Sequence, residues 1–158
     1  MFRWDANVTL SQNQIKDYVA YLPNADWSKG IAQPARKNTT ISFSPSVVAN
    51  NRFTVDYRGF TASLTSQYVG RQYLDNMELR ENSLDAYFVS HLSAAYSFRL
   101  PSVKEITIGA TVYNLLNAKY ETNGYSQSYV DGTGAVLHDT RFYPMAGTNF
   151  LVNVGLKF

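Results

Sequence analysis

Apolar residues recur at every second position in six stretches of this chain. The last stretch is the most regular: Phe150, Val152, Val154, Leu156 and Phe158 alternate with Leu151, Asn153, Gly155 and Lys157. Successive side chains of a strand point to opposite faces, so the first five share one face. Near the start, Trp4, Ala6, Val8 and Leu10 alternate with Asp5, Asn7, Thr9 and Ser11. Four further strands are predicted between these two. In the second, Ile41, Phe43 and Val47 alternate with Thr40, Ser42, Ser44 and Ser46. The third covers residues 53–69, with Phe60, Ala62, Leu64 and Tyr68 opposing Thr61, Ser63, Thr65 and Gln67. Its early part, Phe53-Thr54-Val55-Asp56-Tyr57, runs in the other phase, which a bulge near Arg58-Gly59 would produce. The fourth sets Phe88, Leu92, Ala94, Tyr96 and Phe98 against His91, Ser93, Ser97 and Arg99. The fifth sets Ile106, Ile108, Ala110 and Val112 against Thr107, Thr111 and Tyr113.

The connections add an asymmetry. Tight turns are expected near Asn50-Asn51 and Pro101-Ser102-Val103, and long loops over residues 23–38, 71–83 and 118–146. Short and long connections therefore alternate. Consecutive antiparallel strands place alternate connections at opposite ends, so one end carries short turns and the other long loops. Apolar-out, polar-in strands with this asymmetry match an outer-membrane β-barrel, whose periplasmic turns are short and extracellular loops long. The terminal strand then ends on the periplasmic side. Trp4, Tyr96, Phe98 and Phe158 fall near that boundary, and Tyr68, Phe88 and Phe150 near the other, as two aromatic girdles. Within the longest loop, Asp131-Gly132-Thr133-Gly134 reads as a hairpin tip between Tyr129-Val130 and Ala135-Val136-Leu137, and Asn123-Gly124 as another turn.

Composition agrees with strands. Charged residues are 16% of the chain and aromatics 15%, including 12 Tyr and 9 Phe, types that favour strands and membrane boundaries. The longest apolar run, Tyr18-Val19-Ala20-Tyr21-Leu22, is far shorter than the roughly 20 residues of a membrane helix. A net charge of +2 without a basic run gives no footprint for nucleic acid. With no Cys, thiolate metal sites and thiol catalysis are excluded, and two separated His make a dedicated metal site improbable on composition. No nucleophile elbow or phosphate-binding loop is present, and Asp131-Gly132-Thr133-Gly134 is better read as a turn than as catalytic chemistry. The expectation is no enzyme activity and no cofactor.

The residues also carry a family resemblance. Val112-Tyr113-Asn114-Leu115-Leu116-Asn117-Ala118-Lys119-Tyr120-Glu121 resembles the segment that ends the penultimate strand of TonB-dependent outer-membrane receptors. Phe142-Tyr143-Pro144 before a terminal Phe-ended strand follows in the family's order. Ser44-Pro45-Ser46, the segment from Tyr68 to Asn76 and the segment from Asn7 to Tyr18 are similar as well. The resemblance implies that the chain, residues 1–158, is the C-terminal part of a larger barrel of the 22-stranded type. About six antiparallel transmembrane strands would form an open, curved part of its wall. The family's plug, TonB-contacting box and signal peptide have no counterpart in this sequence.

The implied parent resides in the outer membrane of Gram-negative type. It would import a scarce ligand, a ferric siderophore or similar chelate, with energy delivered through TonB. Its implied partners are outer-membrane lipid, the remaining barrel and plug, and the barrel-insertion machinery, which would read Phe158 as a C-terminal signal; TonB is met only through the full-length parent. Candidate extracellular ligand contacts are Tyr125, Tyr129, His138 and Arg141; the loop tyrosines could equally pack against the barrel rim. Asp75, Glu78, Arg80 and Glu81 form a charge cluster, either a solvated exterior or part of the vestibule, and His91 belongs to the polar face. Two other readings stay open: a soluble, secreted β-sandwich binding module, and a small passive barrel assembled from several copies.

Overall fold

The computed structural model describes residues 1–158. Six strands form its main sheet: β1 (Phe2–Leu10), β2 (Val47–Tyr57), β3 (Phe60–Val69), β4 (Tyr87–Leu100), β5 (Val103–Tyr113) and β6 (Asn149–Lys157). They lie in sequence order, every neighbour antiparallel, and the sheet does not close on itself. The protein is all-β, with one short 3₁₀ turn at Arg80–Asn82.

The number of strands matches the hydrophobic pattern, but two of them fall elsewhere. Residues 41–46 form no strand. Phe43 adopts φ 54° and donates its N–H to Tyr73 O at 2.9 Å, which ties this stretch into the loops. Asn50-Asn51 is no turn either. It lies inside β2, where Asn50 Nδ2 donates to Asn7 Oδ1 at 3.1 Å across to β1. The turn is at Arg58-Gly59, expected as a bulge. Both residues have positive φ, 47° and 84°, the two-residue geometry that suits a twisted hairpin. A Cβ on Gly59 would sit 2.4 Å from Ser97 O, so glycine is required there for space as well as for φ. With Tyr57 opposite Phe60, the turn explains the change of phase without a bulge. Asn123-Gly124, expected as a turn, lies inside a loop strand beside a register irregularity.

Register decides what each face carries. Ile106, Ile108, Ala110 and Val112 stand opposite Leu156, Val154, Val152 and Phe150. The same row continues through Phe98, Tyr96, Ala94 and Leu92 to Phe60, Ala62 and Leu64. It then passes through Tyr57, Val55 and Phe53 to Phe2 and Trp4. One sheet face is therefore a nearly continuous apolar surface, interrupted by Asn51, Ser66 and Ser90; the two serine hydroxyls bond each other at 2.8 Å. The opposite face carries Asp5, Asn7, Arg52, Thr61, Ser63, Thr65, Ser93, Ser97, Thr107 and Asn153, with hydroxyl pairs Ser63–Ser93 and Ser97–Thr107 at 2.8 Å.

No second sheet covers the apolar face. All nine residues of β1 and of β6 are exposed, Val154 at 65% and Trp4 at 62%. The apolar core sits instead among the loops, in Ala20, Leu22, Met77 and Val130. More than a dozen large apolar side chains on the sheet face are at least about two-fifths exposed. At 1.5–3 kcal/mol for full burial of each, burial on the order of 10–20 kcal/mol is left unrealised. That is as large as the net stability of an ordinary domain, about 5–15 kcal/mol.

Candidate functional site

The two sides of the sheet end differently. At one end, β2–β3 and β4–β5 are joined by the two-residue turns Arg58-Gly59 and Pro101-Ser102. At the other, three long connections converge. The first, between β1 and β2, holds two stacked ladders, Gln14–Tyr18 with Arg36–Thr40 and Tyr21–Pro23 with Gly30–Ala32. The second, between β3 and β4, closes through Gln72–Tyr73 with Ser83–Leu84. The third, between β5 and β6, is the hairpin Glu121–Val130 with Val136–Pro144.

The base of the third loop is built around two asparagines. Asn114 and Asn117 adopt φ 50° and 52°, a left-handed conformation that asparagine tolerates better than most residues. Asn114 is 2% exposed. Its Nδ2 donates to Ala118 O at 2.8 Å and Ala146 O at 3.0 Å, and its Oδ1 accepts from Ala118 N at 2.8 Å. Asn117 Oδ1 accepts from Thr148 N at 3.1 Å, and Thr148 Oγ1 donates to Asn114 O at 2.7 Å. The entry and exit of a long loop are thus fastened by one four-residue segment. His91, on the polar face, supports the same corner: its Nδ1 accepts from Asn114 N at 3.1 Å, and its ring meets Tyr113 edge-on.

The three loops also hold one another. Asn82 is fully buried. Its Nδ2 donates to Asp75 Oδ2 at 2.8 Å, and Thr140 Oγ1 donates to its Oδ1 at 2.6 Å. The same Nδ2 lies 3.3 Å from His138 Nδ1, which also meets Ser128 Oγ at 2.7 Å. Because Asp75 fixes Nδ2 as the donor, His138 Nδ1 accepts and the ring proton sits on Nε2. Glu78 takes Thr40 N at 2.9 Å and Thr40 Oγ1 at 3.2 Å, and Asn76 Oδ1 accepts from Ser42 N at 2.8 Å. Of the residues expected in a solvated or vestibular cluster, Glu78 is therefore a cross-link between loops, while Asp75 bonds Met77 N and Asn82 Nδ2 within its own loop. Sequence reasoning passed over Asn82; its only signal is a buried amide, and burial is a tertiary property.

Of the candidate contacts, Tyr125, Tyr129 and Arg141 share the outer face of the hairpin, Tyr125 directly opposite Arg141. His138 lies on the other face, toward Asn82. Arg141 pairs with Asp139 at 3.1 Å, and that hydrogen-bonded carboxylate raises the guanidinium pKa further. The structure thus brings three of the four together and separates His138. Tyr120 packs on Tyr87 with ring centroids 4.6 Å apart, so this loop tyrosine braces the sheet. His138, Arg36 and Glu81 border a cleft of about 270 Å³ between the loops, with Leu22, Met77 and Leu79 as its apolar side. A larger, open recess of about 540 Å³ lies at the short-turn end, beside Arg99, Lys104, Glu105, Lys157 and Phe158. Phe158 is 75% exposed and follows β6 directly.

No protein-family model, curated protein or solved structure matches this chain.

Proposed function

We propose that the chain is a wall segment, with part of the extracellular mouth, of an outer-membrane receptor of the TonB-dependent type. In the full-length parent the barrel imports a scarce ligand, a ferric siderophore or a similar chelate, with energy delivered through TonB. One observation carries the reading: a single unroofed sheet whose apolar face is continuous across six strands and whose other face is polar. Its dimensions suit a bilayer. Phe60 and Tyr68 are eight residues apart on β3, roughly 27 Å at about 3.4 Å per residue. A strand tilt of about 40° reduces this to roughly 21 Å along the membrane normal, near the ~25 Å apolar band of such barrels. Aromatic residues mark both limits. Trp4 stacks on Phe53 at 5.8 Å and Tyr96 on Phe98 at 5.9 Å toward the short turns, while Tyr68 faces Phe88 toward the long loops. The Asn114–Asn117 corner supports the receptor type, since it supplies a physical reason for the resembling motif. The outer hairpin face with Tyr125, Tyr129 and Arg141 offers aromatic rings and a cation to an anionic chelate.

The test compares adjacent residues of β6. Val154 lies on the apolar face and Asn153 on the polar face. A lysine near the bilayer midplane on the lipid side costs about 2–4 kcal/mol. Val154→Lys is therefore expected to lower the folded fraction in lipid vesicles strongly, while Asn153→Lys leaves it nearly unchanged. Equal effects, or a wild-type chain that is a monodisperse monomer in water without detergent and unfolds cooperatively, would overturn the reading.

A further inference from the structure

Charge is divided unevenly between the two sides of the main sheet. Its strands hold three carboxylates, Asp5, Asp56 and Glu105. Asp5 stands opposite Arg52, Asp56 opposite Thr61 and Glu105 opposite Lys157, all on the polar face. The apolar face has no carboxylate. It has two cations, both at the short-turn end. Lys104 on β5 is in phase with Ile106 and Ile108. Arg58, in the β2–β3 turn, holds its guanidinium carbon 5.3 Å from the ring centroid of Tyr57, a residue of the apolar row. Neither cation takes part in an ion pair. Arg58 is also an unusual residue for its position. Hairpin turns with positive φ at both central residues prefer Asn-Gly, Asp-Gly or Gly-Gly, and a long side chain at φ 47° is uncommon. An outlier of this kind points to a use for the side chain.

We propose that Arg58, with Lys104 as a second contact, binds the phosphate of an anionic phospholipid headgroup at the short-turn rim, while the acyl chains of that lipid lie along the apolar face. The inference rests on the reading of the sheet as a membrane wall. The geometry suits an amphipathic anion rather than free phosphate. A cation–π contact with Tyr57 holds the guanidinium beside the apolar surface. Tyr57, Phe60 and Tyr96 form one exposed cross-strand row next to it, and tyrosines suit the headgroup level of a membrane. A free phosphate would use the cations and leave the apolar row uncovered; a phospholipid engages both. Asp56, two residues from Arg58 in the chain, does not compete. It belongs to the other face and accepts from Thr61 Oγ1 at 2.7 Å. One basic side chain near an anionic lipid surface is worth about fivefold in affinity.

The test uses the whole chain in uncharged maltoside micelles. It is titrated with short-chain phosphatidylglycerol, with phosphatidylcholine of the same chain length, and with inorganic phosphate. Binding is read from the Arg58 Nε–Hε and Gly59 amide resonances. Phosphatidylglycerol is expected to bind tighter than phosphatidylcholine by about fivefold or more, and inorganic phosphate to shift neither resonance at the same concentrations. Arg58→Asn, read at Gly59, should lose about fivefold in affinity for phosphatidylglycerol. Its unfolding midpoint should not fall, because asparagine fits this turn better than arginine. Arg58→Lys should keep most of the preference, and Lys104→Gln should weaken it with the turn untouched. Equal affinity for the two lipids, wild-type preference in Arg58→Asn, or the same shifts from inorganic phosphate would overturn the site and leave the membrane-wall reading intact. A monomer soluble in water without detergent would overturn both.

Discussion

Replacing Asn114 by alanine should release the β5–β6 loop from the sheet. The side chain makes three hydrogen bonds of 2.8–3.0 Å, to Ala118 O, Ala118 N and Ala146 O, in a nearly water-free pocket. At about 1 kcal/mol net each, their loss costs about 3 kcal/mol. Alanine at φ 50° adds roughly 1 kcal/mol, because a Cβ crowds the following carbonyl in the left-handed region. The total, about 4 kcal/mol, corresponds to close to a thousandfold in an opening equilibrium, at about 1.4 kcal/mol per factor of ten. Amide hydrogen exchange of the detergent-solubilised chain reads this opening at Ala118 and Thr148. Their exchange should accelerate by two to three orders of magnitude, with amides at the centre of β4 unchanged. Asn114→Gly restores the backbone freedom but not the bonds, and should recover only the smaller part. Asn114→Asp keeps the acceptor for Ala118 N but turns a carboxylate toward two carbonyls, and should be no better than alanine. Acceleration below about tenfold in Asn114→Ala, or wild-type exchange in Asn114→Asp, would refute the role assigned to this corner.

Two further outcomes follow from the loops. Asn82→Ala leaves the Asp75 carboxylate and the Thr140 hydroxyl without their buried partner, a loss of roughly 2–4 kcal/mol. Trypsin should then cut after Arg80 and Arg141 much faster while the circular dichroism of the main-sheet strands persists; unchanged cleavage would contradict the cross-link. At the hairpin tip, Asp131 accepts bonds from Thr133 Oγ1 and from the backbone N–H groups of Thr133 and Ala135, which holds its carboxyl below the ordinary 3.8. A depressed folded pKa means that the tip's carboxylate stabilisation is present above the unfolded value and is lost as pH falls through the folded one. The side-chain carboxyl-carbon (Cγ) resonance of Asp131 should therefore titrate below pH 3.8, and a midpoint at or above that value would count against the turn.

Much of the six-stranded sheet is written locally. Period-two alternation names the faces of Trp4 and Leu10, of Ile106 and Val112, and of Phe150 and Leu156 without knowledge of any neighbour, because side-chain direction in a strand depends only on position along it. The alternation of short and long connections is legible for the same reason, and so is the hairpin around Asp131-Gly132-Thr133-Gly134. Turn placement between β2 and β3 is not. Asn50-Asn51 has turn chemistry, yet the ladder with β1 and the Asn7–Asn50 amide bond hold it extended, while Arg58-Gly59 turns through two positive φ angles, at a place where Gly59 lies too close to Ser97 O to carry a side chain. The loop cluster is still less legible. Asn82 and His138 are 56 residues apart, as are Leu22 and Met77 by nearly as much, and no local pattern couples them. Their meeting depends on three loops reaching one end of the sheet, which only the pairing of the six strands decides. The same pairing joins the apolar rows: alternation specifies which side chains of one strand share a face, but only the register between strands decides that these rows meet across the sheet.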